Sequence, residues 1–197
     1  MTSTLNLKDY YFIPDGTPAD SELADEQRRL LIHDQMEVFR SKSFIAGAIF
    51  WTYQDYRTRS LFVMGVVDPK RNKRPSWNVL REEFSPVVFD SLTVSPMADD
   101  QQTATILLHT RGPIGVDMPV YTLRGYTFHW EVTSTDRSTL FSQGDVLLPT
   151  LAPATEWTGK TQFEVPTTDY ILTVSIIRPT GFTLIERSIN AKGEQIP

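Results

Sequence analysis

The chain contains no cysteine among its 197 residues. Disulfides, thiolate nucleophiles and cysteine metal sites are therefore excluded together. No apolar run approaches the roughly 18–20 residues needed to span a bilayer. The N-terminus, Met1-Thr2-Ser3-Thr4-Leu5, lacks the apolar core of a signal peptide. The expectation is a chain that is cytoplasmic if made as it stands, with no membrane partner. Histidine is scarce, and His33, His109 and His129 show no metal-ligand spacing such as His-x-x-x-His. No metal site and no cofactor are expected. Gly-x-Ser-x-Gly is absent, so no nucleophile elbow is legible. Excess positive charge is missing too. The formal charge is −5, and residues 85–197 carry 7 basic against 12 acidic side chains. That balance argues against a nucleic-acid partner.

What is present is an ordinary globular composition, 40% hydrophobic and 22% charged, enough for one domain or two small ones. The texture changes near Ser85-Pro86. Upstream, helix and strand patterns alternate. Leu5 to Ile13 reads as a short strand, ended by the turn residues Pro14-Asp15-Gly16. Ser21 is placed to cap a helix over about 22–42. Ala24, Leu31 and Val38, with Ile32, Met36 and Phe39, form its apolar stripe and leave Asp25 and Arg28 off it. Phe44 to Tyr53 is apolar on both alternating faces, the pattern of a strand buried on both sides in a parallel sheet. A second apolar stretch runs from Leu61 to Val67. Pro75 suits the first position of a closing helix.

Downstream, about seven alternating strand candidates are separated by turn residues, the spacing of an antiparallel sandwich. Tyr126, Phe128, Trp130 and Val132 alternate with polar neighbours, as do Tyr170, Leu172, Val174 and Ile176. Asp169-Tyr170-Ile171-Leu172 resembles the tyrosine corner of immunoglobulin-like domains, with Trp130 as the buried tryptophan of the central strand.

The run Phe44-Ile45-Ala46-Gly47-Ala48-Ile49-Phe50-Trp51-Thr52-Tyr53-Gln54-Asp55-Tyr56-Arg57 resembles the last barrel strand of family 2 glycoside hydrolases. Met64-Gly65-Val66-Val67-Asp68 and Lys73-Arg74-Pro75-Ser76-Trp77 continue the likeness. The resemblance implies a partial (β/α)8-barrel segment over 1–85 and an immunoglobulin-like β-sandwich over 86–197. It places Trp51, Asp55, Tyr56 and Arg57 at a sugar-binding mouth. Read from the residues alone, Trp51 equally suits a core aromatic, and Asp55 with Arg57 an ion pair that orders the loop.

A retaining glycosidase needs two carboxyl groups about 5–5.5 Å apart. The Asn-Glu pair that would carry the acid/base does not occur in this chain. For the nucleophile the nearest match is Asp9, in Lys8-Asp9-Tyr10-Tyr11, one methylene short and without the following glycine. The expectation is thus a truncated, non-catalytic fragment, at most a carbohydrate-binding or interaction module, that self-associates through its incomplete barrel. The alternative is a stand-alone glycosidase or esterase built around the barrel segment. Glu82-Glu83 reads as a solvated face. Lys70-Arg71-Asn72-Lys73-Arg74 reads as a solvated loop, with anion attraction as the weaker reading.

Overall fold

The computed structural model describes residues 21–55, 65–96, 101–165 and 169–196. The chain divides into two compact units, with the division between Phe84 and Ser85. The strand expected at Leu5–Ile13, Leu61–Met64 of the second apolar stretch, and the candidates Asp9, Tyr56 and Arg57 lie outside the described residues.

In the first unit, helix α1 spans Glu22–Arg40. Ser21 caps it as expected, its hydroxyl accepting from the Ala24 N–H at 3.2 Å. The buried row differs from the expected stripe. Ala24, Arg28, Ile32 and Met36, four residues apart, face inward together with Asp25, while Val38 is exposed. Two charged residues share the inner face because they satisfy each other and a neighbouring helix. Arg28 donates to Asp25 at 3.3 Å. The Asp25 carboxylate also accepts the Ser76 N–H at 3.1 Å, capping helix α2, Pro75–Glu83. Pro75 occupies the first turn, where its missing N–H costs nothing.

The far ends of both helices are tied as well. Arg40 donates to the Glu83 carboxylate at 2.5 Å and to the Glu83 carbonyl at 2.7 Å. His33 Nδ1 lies 2.6 Å from the other Glu83 oxygen, and this hydrogen bond raises the His33 pKa. Glu83 is therefore not on a solvated face, although Glu82 is. Start meets start and end meets end, so α1 and α2 run in the same sense. Such neighbours need a crossover between them.

The crossover is the run 44–55, and it forms no strand. The partial barrel expected here is not shown. Among the described residues the run's one ladder contact is a parallel bridge from Gln54 to Val67. A sheet strand requires backbone partners along its length. Among the described residues this run finds non-local partners at its end, where Val67 N–H donates to Tyr53 O at 3.1 Å and Asp55 N–H to Val67 O at 3.3 Å, while at its start Ile45 N–H closes a local turn onto Lys42 O at 3.0 Å. Nor is it buried on both faces: Phe44, Ile49, Trp51 and Tyr53 are all exposed.

The second unit is an antiparallel β-sandwich. Its strands are β1 (Val87–Val94), β2 (Gln101–Thr110), β3 (Thr127–Thr133), β4 (Leu140–Leu147), β5 (Glu156–Glu164), β6 (Ile171–Ile177), β7 (Thr183–Asn190) and β8 (Gln195–Ile196). One sheet has the order β1-β2-β5, the other β4-β3-β6-β7-β8. Alternation buries Ala104, Ile106 and Leu108 from the first sheet against Phe128, Val132, Leu172, Val174 and Ile176 from the second. On the other face of β6, Thr173 and Ser188 hydrogen-bond at 2.9 Å, so β6 buries polar groups without leaving them unpaired.

The tyrosine at 170 is wholly buried, as the alternation implies, but its hydroxyl crosses the sandwich. It donates to the Gln102 side chain of β2 at 2.5 Å, and Gln102 Nε2 donates onward to Ser95 O at 2.8 Å. Trp130 is not the buried tryptophan of the core. It is part-buried, with its indole where a Cβ on the paired Gly144 would come within 2.7 Å. Phe128 holds the fully buried aromatic position on β3. Substituting Tyr170→Phe leaves the Gln102 oxygen buried without a donor. This should cost about 1–3 kcal/mol in chemical denaturation of the sandwich, with the β2 and β6 fold retained by circular dichroism.

Candidate functional site

The residues singled out by sequence fall at the end of the 44–55 run. Although no ladder forms, the side chains alternate. Ala48, Phe50, Thr52 and Gln54 are part-buried, while Ile49, Trp51 and Tyr53 point to solvent. The inward face packs on both helices: the Phe50 ring lies 6.5 Å from Phe39 and 5.7 Å edge-on from Phe84. The outward face presents two aromatic rings, Trp51 at 73% and Tyr53 at 61% exposure. Flat exposed rings with a polar edge are surfaces on which apolar faces of ligands stack. The Trp51–Thr52 peptide is cis.

Asp55 ends the run, and its carboxylate is almost wholly enclosed. Oδ2 accepts from Arg74 Nη2 at 2.7 Å, and Oδ1 accepts from the Gly65 N–H at 2.8 Å. Arg74 is buried and donates further to the Gly65 and Val67 carbonyls at 2.6 and 3.2 Å. Asp55 and Arg74 thus form a clamp that fixes where the run ends. A buried charge pair of this kind persists because both carboxylate oxygens and both terminal guanidinium nitrogens have partners. The partner of Asp55 here is Arg74, nineteen residues on, which local spacing does not reveal. A glycine is required at 65: a Cβ there would come within 2.7 Å of both Asp55 Oδ1 and the Val67 carbonyl.

Beside the clamp lies a pocket of about 250 Å³ lined by Asp25, Arg28, Asp68, Asn72, Lys73, Arg74 and Pro75. The Arg28 pKa is lowered, first by burial and then by the like charge of Arg74. Asp68 orders the loop itself, accepting the Lys70 and Asn72 N–H groups at 2.8 Å each. Lys73 Nζ sits 4.0 Å over the Trp77 ring. Lys70, Arg71, Asn72 and Lys73 are exposed, in keeping with a solvated loop, whereas Arg74 is buried.

Of the other titratable groups, His33, Asp34 and Glu37 gather on one turn of α1 with ligand atoms within 4.8 Å of one another. The cluster is largely exposed, and its histidine already contacts Glu83. His109 pairs with Asp90 at 2.8 Å and His129 with Asp145 at 2.8 Å, both on outer faces of the sandwich. Among the described residues no helix is long and apolar enough to cross a membrane.

No protein-family model matches the chain, and no curated protein matches it. Solved structures similar to it include the C-terminal domain of wzt, 11% identical over 54% of this chain and 72% of that one, with a TM-score of 0.42. A glycosyl hydrolase family 2 member from Bacteroides cellulosilyticus is 12% identical over 53% of this chain, with a TM-score of 0.39. A β-glucuronidase from glycoside hydrolase family 2 is 8% identical over 54% of this chain, with a TM-score of 0.36. The matches span only 15% and 11% of those two hydrolase chains. Likenesses this distant assign no family.

Replacing Gly65→Ala should force Asp55 away from Arg74. With a buried pair broken, the loss is about 3–5 kcal/mol of local stability. It is measurable as increased proteolysis between 55 and 74 with the sandwich melting transition unchanged.

Proposed function

We propose that the chain is the C-terminal portion of a family 2 glycoside hydrolase-like protein, comprising the closing part of a (β/α)8 barrel and an immunoglobulin-like sandwich. By itself it is non-catalytic and acts as a carbohydrate-binding or interaction module. The observation that carries this is the 44–55 run. Its inward face is packed on two helices that run in the same sense, and its outward face offers Trp51 and Tyr53 beside a clamped Asp55. A segment of alternating side chains with helices on one side and an open aromatic face on the other has the layout of a barrel strand, whose C-terminal end lines the site. The sequence resemblance supports the same reading, and it places Tyr56 and Arg57 in the same wall.

In this reading Trp51 stacks against a pyranose ring, and the Asp55–Arg74 clamp holds the end of the run in place. The strand order β1-β2-β5 against β4-β3-β6-β7 supports the immunoglobulin-like assignment of the sandwich. No Asn-Glu pair is present to act as acid/base, and Asp9 is a poor substitute for a nucleophilic glutamate. The unpaired run, with Phe44 and Ile49 exposed, supports self-association.

A panel of nitrophenyl glycosides and esters tests the reading directly. The expected outcome is no turnover, with sugar-dependent quenching of tryptophan fluorescence that Trp51→Ala removes. Sedimentation should show mass rising with concentration. Turnover that survives purification and disappears in Asp9→Ala or His33→Ala would refute the non-catalytic assignment.

A further inference from the structure

At the end of the sandwich where β2 leads to β3 and β6 to β7, the loops bring together Tyr121, Tyr126, Arg178 and Phe182. The β6–β7 turn is tight. Arg178 N–H donates to Phe182 O at 2.9 Å, and Gly181 N–H donates to Arg178 O at 2.8 Å. Gly181 adopts φ 82°, a conformation that favours glycine. This closure fixes the Arg178 guanidinium 5.6 Å over the Phe182 ring. On its other side Nη2 reaches the Tyr121 hydroxyl at 3.4 Å. Tyr121 is in turn hydrogen-bonded to Tyr126, whose phenol is pushed up to about 12, mainly by burial. Tyr121 and Phe182 are 39% and 48% exposed as residues.

The guanidinium has more donors than this loop satisfies. Among the described residues its one side-chain hydrogen bond is long, and Nε is buried with no acceptor. Among the described residues no carboxylate pairs with it, although the chain as a whole is acidic. An arginine is charged at every working pH and is best completed by a charged acceptor. Here that acceptor would arrive between two exposed rings, which favour the apolar face of a sugar.

We propose that Tyr121, Arg178 and Phe182 form a binding site for an anionic pyranose. The sugar ring stacks on Phe182 or Tyr121, and the anionic group, a uronate carboxylate or a sulfate ester, accepts from Arg178. The site lies wholly within the sandwich and needs nothing from the barrel segment. It borrows from the reading above only the class of ligand. Loops at one end of such a sandwich are where this architecture carries recognition, and the closed turn lowers the ordering cost of binding.

The test is an NMR titration of the full chain with galacturonate and with a galactose sulfate ester, against methyl galactoside, acetate and inorganic sulfate. The expected result is movement of the Phe182 and Tyr121 ring signals and of the Gly181 amide with one or both anionic sugars. Arg178→Met should weaken that binding about tenfold, the worth of one charge-assisted hydrogen bond. Phe182→Ala, at an exposed ring, should abolish it with the β6 amide spectrum unchanged. Equal response to methyl galactoside, to acetate or to sulfate would overturn the site. So would sugar-dependent shifts at Trp51 with Phe182 silent, an outcome that leaves the carbohydrate reading standing. Silence at both places would overturn both.

Discussion

Backbone groups taken from water must find partners, and this constraint separates the two halves of the chain. In the sandwich each of the seven longer strands lies in an antiparallel ladder, and β2, β3, β6 and β7 are paired on both sides. Ladder and core reinforce each other there, because the pairing that satisfies the backbone also stacks Ile106, Leu172 and Val174 into one interior. In the 44–55 run, among the described residues, the same demand is met by a local turn at Ile45 and by the pairing of Tyr53 and Asp55 with Val67. Between those points the run shows no ladder among the described residues. Its apolar side chains are divided between a face that packs on Phe39 and Phe84 and a face that meets solvent.

The two units are consequently held by different chemistry. The clustered apolar core belongs to the sandwich. The helical unit relies on charge at both ends: Asp25 with Arg28 and the start of α2, Arg40 and His33 with Glu83, and Asp55 with Arg74. Such pairs fix geometry more than they add stability, since the cost of desolvation offsets much of the attraction. What they fix here is where the run ends and which way its aromatic face points. The functional reading rests on that positioning, because a stacking ring is useful only if its backbone is held.

Much of this was legible in sequence where the signal is local. Ser21 and Pro75 marked the helix starts correctly, because capping involves residues close along the chain. Alternation through Tyr170, Leu172, Val174 and Ile176 revealed the central strand of the sandwich for the same reason. The signal failed where partners are distant. Asp25 and Arg28 belong to the buried face of α1 through a contact 51 residues away at Ser76, which a hydrophobic stripe cannot register. Glu83 is buried by Arg40, 43 residues before it. Phe44–Tyr53 is apolar enough for a buried strand, but apolarity supplies no ladder partner. The cluster around Arg178 joins side chains 57 residues apart, and each alone reads as ordinary loop composition.

On the proposed reading the run before Asp55 is a barrel strand that lacks its pairing among the described residues, whereas the sandwich strands are laddered. Amide hydrogen exchange on the full chain at low concentration measures this residue by residue. Strong protection is expected across β2, β3 and β6, measurable protection at Val67 and Asp55, and exchange near unfolded-chain rates over 46–52. Protection of 46–52 comparable to β6 in the dilute monomer would show that the run is already paired, and would contradict the account.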